Sequence, residues 1–380
     1  IDMSLMGIGT NILGYGNSEI DDAVRQVIDK GNMSTLNCPE EVYLAEKLIQ
    51  MHPWADMVRF ARSGGEANAV AVRIARAASG RSKVAICGYH GWHDWYLAAN
   101  LGDNQSLAGH LLPGLEPNGV PEELRGTVLP FKYNDFEGVE ELVENNDIGV
   151  IKMEVSRNVS PENNFLEKVR ELATSRGIVL IFDECTSGFR QTFGGLHNLY
   201  GVEPDLAMFG KAMGNGYAIT AVIGRREVME SAQTSFISST FWTERIGPTA
   251  GLKTLEVMER TKSWEIVTKI GRDVSARWQS LANDHQIAIT TAGLAALPSF
   301  AFSGLNAAAY KTLLTQEMLS KGFLATTSFY ASVAHTSGLL DAYFDSLAEV
   351  FALIQKCQDG LDVHTLLNGP IAHTGFKRLN

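Results

Sequence analysis

Ile178-Val179-Leu180-Ile181-Phe182-Asp183-Glu184 is the stretch that decides the fold of this chain. Five consecutive apolar residues leave no side for water. The strand expected over 178–183 is therefore covered on both faces, as in a parallel sheet flanked by helices. Two carboxylates close the stretch, and burying a carboxylate is costly unless it meets a cation or a donor. Moving outward, strands are expected over 57–60, 83–87, 127–131 and 148–154. Helices are expected between them over 66–79, 136–144 and 161–175. This alternation predicts a doubly wound α/β sheet, in which ligands sit beyond the carboxyl ends of the strands.

The flanks read differently. Residues 18–30 predict a helix with Ser18 as N-cap and a stripe of Ile20, Val24, Val27 and Ile28. A second helix is expected over 39–50, with Pro39 near its start. After about residue 245 the pattern becomes helices over 247–260 and 264–281, short strands over 287–290 and 298–302, and helices over 307–320 and 341–357. That is a smaller α+β part. Residues 102–126, rich in Gly, Pro, Asn and Leu, read as a long loop, and such loops are often functional.

Composition excludes several classes. The 380 residues are 45% hydrophobic and 20% charged, with a net charge of -11. No apolar run approaches the ~18 residues needed to span a bilayer, and no Lys/Arg cluster offers a nucleic-acid footprint. Neither a membrane nor a nucleic acid is expected as a partner. Cys38, Cys87, Cys185 and Cys357 stand far apart without a CxxC pair. Reduced thiols in a cytoplasm are expected, rather than disulfides or zinc. The chain begins at Ile1, so the lack of a leader carries no weight.

Four segments carry chemistry. Ser63-Gly64-Gly65-Glu66 lies between an expected strand and helix, where glycines and free N–H groups make an anion site; the bland reading is a plain turn. Gly88-Tyr89-His90-Gly91-Trp92-His93 follows a strand and offers a ring to stack on a planar ligand. Its two histidines have loose spacing and no acidic partner, so no metal is expected. Asp183 and Glu184 could cap a helix, join an ion pair or face a protonated ring nitrogen. Phe209-Gly210-Lys211-Ala212-Met213-Gly214 sets a lone lysine among apolar and small residues. Desolvation lowers a lysine pKa and favours an amine that forms a Schiff base. A phosphate cradle, a stacking ring, an acid and such a lysine together match the needs of pyridoxal 5′-phosphate (PLP).

On these segments the chain resembles the class III (ω-type) PLP-dependent aminotransferases of fold type I. Within them it is similar to glutamate-1-semialdehyde 2,1-aminomutase and its relatives. The resemblance runs from about Gly14 to the C-terminus and is strongest over 62–260. It is most specific in Ile181-Phe182-Asp183-Glu184-Cys185-Thr186-Ser187-Gly188-Phe189-Arg190 followed by Gly210-Lys211. The resemblance implies that Lys211 holds PLP as a Schiff base and that Asp183 pairs with its ring nitrogen. Tyr89 would stack on one ring face, with Cys185 on the other where relatives usually carry Val, and His90 would join the cofactor set. Gly64 and Gly65 would donate to the phosphate; relatives usually have Ser or Thr at the second position. Glu154 and Asn158 resemble the acid and asparagine near the phenolic oxygen, and Thr240 the phosphate ligand supplied by the other subunit of a homodimer.

The implied fold is a large PLP-binding domain over 17–262 and a small domain over 263–380, joined by a segment over 1–16. The implied reaction is amino-group transfer between an amino donor and a carbonyl acceptor, through a pyridoxamine intermediate. A glutamate-1-semialdehyde-type 2,1-aminomutase and an amino-sugar aminotransferase are the alternatives, the latter because Trp92, Trp95 and Trp242 could line the mouth. Arg157, Arg190 and Arg245 are candidates for a substrate-carboxylate partner. The resemblance also places part of the substrate pocket in residues ahead of Ile1.

Overall fold

The computed structural model describes residues 1–102, 106, 114, 116–156 and 158–372. Seven strands form one sheet: β1 (Met57–Ala61), β2 (Lys83–Cys87), β3 (Val128–Pro130), β4 (Ile148–Glu154), β5 (Val179–Asp183), β6 (Leu206–Phe209) and β7 (Thr220–Gly224). Their order is β1-β7-β6-β5-β4-β2-β3. All neighbours run parallel except β7, which is antiparallel to both β1 and β6. The expected α/β sheet is therefore present, and β4, β5 and β6 at its centre are buried along their whole length.

The long helices are α1 (Ser18–Asp29), α2 (Pro39–Met51), α3 (Gly64–Ser79), α4 (Phe136–Asn145), α5 (Phe165–Ser175), α6 (Ile246–Thr261), α7 (Ser263–Asp284), α8 (Ala307–Ser320) and α9 (Ser337–Gln358). On one face of the sheet, Val70, Ala71 and Ile74 of α3 pack on Val150, Ile181, Met208 and Val222. On the other, Val139 and Val143 of α4 and Leu166 and Val169 of α5 pack on Ile151, Met153, Leu180 and Phe182. Alternating side chains of one strand thus feed two different cores, as strand periodicity requires. A hairpin of β8 (Ile289–Leu294) and β9 (Leu297–Phe302) follows α7. It packs with α7, α8 and α9 through Trp278, Phe300, Phe302, Leu313 and Phe351. The N-terminus is tied to the same region, since Met3 N donates to Leu324 O at 2.8 Å.

Several expectations need correction. Strands β6 and β7 have no counterpart in the sequence reading; at four and five residues they are too short for periodicity to mark them. Helix α5 starts at Phe165 rather than 161, because Asn163 and Asn164 take left-handed φ values of +50° and +57°. The cap of α1 is Asn17, whose side chain accepts from Ile20 N at 3.4 Å, not Ser18. Ile28 is not part of the buried stripe; it is 50% exposed.

The closest approach in the smaller part is at Gly271 of α7, where an added Cβ would stand 1.9 Å from Ala295 O in the β8–β9 turn. Replacing Gly271 by Ala must push α7 off the hairpin. The expected loss is about 1–3 kcal/mol, the usual cost of overpacking. It would be read as a lowered urea midpoint, and an unchanged midpoint would contradict this packing.

Candidate active site

The parallel strands end side by side. Glu154 and Asp183 are Cα partners across β4 and β5, and Asp183 and Met208 across β5 and β6. The segments after β2, β5 and β6 therefore leave the same edge, bringing Gly88-Tyr89-His90, Asp183-Glu184-Cys185 and Gly210-Lys211 together. Helix α3 begins at that edge too, with Ser63 as its N-cap. Antiparallel β7 starts there, and Thr220 Oγ1 donates to Ser63 O at 3.3 Å.

Asp183 is 4% exposed. Its Oδ2 meets His90 Nδ1 at 2.9 Å and Lys152 Nζ at 3.5 Å, and its Oδ1 accepts from Cys185 N at 3.1 Å. Burial pushes this carboxyl up, but the Lys152 ammonium, His90 and the Cys185 N–H outweigh it and hold the group far below the usual carboxylate range. Asp183 is thus a buried, ionised carboxylate. The His90 ring is itself wedged between Trp95, stacked at 6.4 Å, and Tyr96, edge-on at 5.7 Å.

Glu154 Oε2 accepts from Tyr89 N at 3.2 Å. Gly88 makes this approach possible: its φ is +113°, and a Cβ there would lie 2.6 Å from Glu154 Oε2. The Tyr89 ring packs edge-on against Tyr96 at 6.1 Å. Gly64 and Gly65 are the first two residues of α3, so their N–H groups lie in the turn that lacks helical acceptors. A Cβ added at Gly64 would meet nothing nearer than Cys185 Sγ at 4.0 Å, which leaves the backbone open to a ligand. At Gly65 the His93 ring fills the space, 2.6 Å from where a Cβ would stand. A side chain at Gly65 would have to displace that ring.

Lys211 sits in the left-handed region at φ +37°, a costly conformation for a residue with a Cβ and one that clusters at functional sites. Its Nζ donates to Thr186 Oγ1 at 2.6 Å. Cys185 lies between Gly64 and Gly210, 3.5 Å from a Cβ placed on the latter. Burial and the Asp183 charge push its thiol up, so it is an uncharged wall rather than a nucleophile.

Glu184 belongs to the opposite face of the sheet. Its Oε1 accepts from His197 N at 2.9 Å and meets His197 Nδ1 at 2.9 Å, and Ser187 Oγ donates to its Oε2. Trp54 Nε1 donates to His197 Nε2 at 3.0 Å, and Gly195 N donates to His52 Nε2 at 2.9 Å. This network fastens the loop after β5 from behind. Isolated histidines give no signal for it in the sequence. Sequence reasoning also misses Lys152 and Thr186: Lys152 reads as one polar residue in an otherwise apolar strand, and Thr186 as one of many small polar residues.

Other candidates fall elsewhere. Asn158 is exposed, and its carbonyl accepts from Gly293 N at 3.5 Å; among the described residues no side-chain contact joins it to this edge. Thr240 is exposed on a short turn beside Phe241. Arg190 is buried with its guanidinium on Thr186 O and Gly9 O, both at 2.5 Å. Arg245 pairs with Glu40 at 2.7 Å, and Arg157 lies outside the described residues. Trp95 belongs to the core rather than a mouth, Trp242 Nε1 donates to Glu66 Oε1 at 2.9 Å, and Trp92 is 70% exposed.

Comparison with known proteins bears on this arrangement. A family profile described as "Aminotransferase class-III" matches residues 1–328. The chain is 35% identical over 322 residues to a 3-aminobutyryl-CoA aminotransferase of Cloacimonas acidaminovorans, covering 82% of this chain and 74% of that one. It is 30% identical over 375 residues to a glutamate-1-semialdehyde 2,1-aminomutase of Methanocaldococcus jannaschii, covering 91% and 86%. Its fold superimposes on the FumI protein of Sphingopyxis sp. MTA144 with a TM-score of 0.84 at 23% identity, covering 96% and 87%. An omega-transaminase from Sphaerobacter thermophilus gives 0.83 at 23% identity, covering 93% and 87%. At that identity the structures speak for the fold alone.

The rear network yields a pH prediction. Burial, with the neighbouring His197, pushes His52 down to about 4 from an ordinary value of 6.5, against the opposing hydrogen bond to Leu48 O and the Glu184 charge. The folded state therefore holds His52 neutral where the unfolded chain would take up a proton. That stability is present above pH ~6.5 and is lost as pH falls toward 4, by up to roughly 3 kcal/mol. Urea midpoints should drop over this window in the native sequence and drop less in His52→Gln. Equal slopes in the two proteins would overturn the assignment.

Proposed function

The chain belongs to the class-III aminotransferase family, and from that premise we propose that Lys211 and Asp183 perform its amino transfer at the carboxyl edge of β4, β5 and β6. The enzyme is a PLP-dependent aminotransferase. The side chains at this edge fit the cofactor: the Lys211 amine, the buried Asp183 carboxylate, the Tyr89 ring and the first N–H groups of α3 belong to segments that leave the sheet at the same edge. The observation that carries the reading is that Lys211, held by Thr186 at 2.6 Å, and Asp183, buried with His90 at 2.9 Å and Lys152 at 3.5 Å, follow neighbouring strands at one edge of the sheet.

Lys211 would hold the cofactor, Gly64 and Gly65 would donate to its phosphate, Tyr89 and Cys185 would flank its ring, and Asp183 would face its ring nitrogen. When bound, PLP supplies an aldehyde that condenses with amines and a ring that accepts the electron pair of a substrate C–H bond. The Lys211 Nζ removes a proton from the carbon that carries the substrate amine and returns it as the amino group is passed on. Thr186 Oγ1 orients that nitrogen. The Asp183 carboxylate keeps a proton on the nitrogen it faces, and His90 fixes the rotamer of the carboxylate.

Thr240 stands exposed beside Phe241, 63% exposed, and Phe236, 88% exposed. A surface of this kind supports a homodimer in which Thr240 serves the partner subunit's cofactor. The four cysteines are unpaired, which supports a cytoplasmic setting, and no described helix is long and apolar enough to cross a membrane. A second reading, an aminomutase that moves the amine between adjacent carbons, is favoured by the 30% identity to the Methanocaldococcus jannaschii enzyme over 91% of the chain. An amino-sugar substrate is less well supported, because Trp95 and Trp242 are committed to packing and to Glu66.

Visible absorption separates these readings. Protein loaded with PLP would be titrated with glutamate, alanine, 4-aminobutyrate, 4,5-diaminovalerate, an amino sugar and 3-aminobutyryl-CoA. Bleaching of the cofactor band by one donor is the expected result and names the substrate class. Continuous conversion of glutamate-1-semialdehyde without a second acceptor would favour the aminomutase. Lys211→Ala should lower turnover by a factor of about 10³ or more; native turnover in that variant would contradict the assignment. Light scattering of the active holoenzyme should give twice the chain mass, and an active monomer would refute the shared site.

A further inference from the structure

Lys152 stands in the middle of β4, between Cα partners Ile86 of β2 and Ile181 of β5. It is 0% exposed. Its Nζ lies 3.0 Å from Met208 Sδ and 3.5 Å from Asp183 Oδ2. The surrounding layer is apolar: Val150, Ile181 and Met208 belong to the core under α3. Burying a lysine in such a layer is expensive, and an aliphatic side chain would fill the place at lower cost.

Asp183 does not need this lysine for its hydrogen bonds. His90 Nδ1 already engages Oδ2 and Cys185 N engages Oδ1. What Lys152 adds is a positive charge, held directly beneath the carboxylate that carries the reaction. Burial pushes the ammonium down, and the Asp183 charge offsets part of that fall. The other titratable groups that act on it are Cys185 after β5 and Glu154 at the end of β4, and His90 meets the same Asp183 carboxylate from the loop after β2.

We propose that Lys152 is a positioning residue of the transfer reaction, a buried ammonium that shares the Asp183 carboxylate with the cofactor's ring nitrogen and so limits how firmly that ring holds its proton. The proposal rests on the reading of Asp183 given under the proposed function. A cation on one side of a shared carboxylate disfavours a second cation on the other. Removing the Lys152 charge while leaving Asp183 and His90 in place gives the ring nitrogen sole use of the carboxylate, so protons on the bound cofactor persist to higher pH.

The experiment is a pH titration of the visible spectrum of PLP-loaded protein, with cofactor retention after dialysis measured alongside. Lys152→Met fills the apolar layer without the charge, and Lys152→Gln keeps a polar end without the charge. Each is expected to move the midpoint of the band transition up by roughly one pH unit. A purely structural lysine would alter stability and leave that midpoint in place. An unchanged or lowered midpoint in the variants that fold overturns the proposal. Asp183→Asn distinguishes the two levels. If it alters spectrum and retention while the Lys152 variants do not, only the role of Lys152 fails. If Asp183→Asn itself behaves like the native protein, the reading of Asp183 fails and takes the proposal with it.

Discussion

A carboxylate kept ionised inside the protein is the constraint on which the rest of this structure depends. Asp183 stands at the end of a strand buried along its whole length, where its charge survives only because His90, the Cys185 N–H and Lys152 surround it. Each of those partners needs its own support. His90 is clamped by Trp95 and Tyr96, and Tyr96 in turn donates to Gly88 O at 2.9 Å. Gly88 must be glycine so that Glu154 can reach the Tyr89 N–H. The aromatic segment after β2 is therefore built to hold one acid, and only secondarily to face a ligand.

The two neighbouring acids show how strand geometry divides labour. Asp183 and Glu184 are adjacent, so their side chains leave opposite faces of the sheet. Asp183 meets the α3 side, where the glycines and Lys211 converge. Glu184 meets the rear, where His197, Ser187, Trp54 and His52 lock the loop that carries Cys185 and Thr186. Thr186 then receives Lys211. The rear network so reaches the reactive amine through one turn of chain, and its loss would loosen the cleft without touching it.

Much of this is legible in the sequence, for identifiable reasons. A continuous apolar run ending in Asp183 can only be a covered strand, and a lysine flanked by Gly210 and small residues is a conspicuous exception to surface placement. Both belong to one edge of the sheet, as their settings imply. Legibility ends where local pattern carries no information. Strands β6 and β7 are too short to show a period. Two asparagines in left-handed conformations delay α5, and a side chain one residue earlier caps α1. Trp95 reads as a mouth residue because an aromatic in a motif says nothing about which way it turns. Lys152 is invisible as a functional residue, since one charge inside a strand reads as an ordinary surface position until the neighbouring strands are placed around it.

The most direct test of the account is the ionisation of Asp183 in the cofactor-free protein. Carbon-13 NMR of protein labelled at the aspartate side-chain carboxyl, with Asp183→Asn to assign the resonance, reports it at a single site. The account predicts a carboxylate signal that does not move between pH 8 and pH 4, because the surrounding cation and donors hold the group charged. A signal that titrates with an ordinary aspartate midpoint near ~3.9 or higher would contradict it.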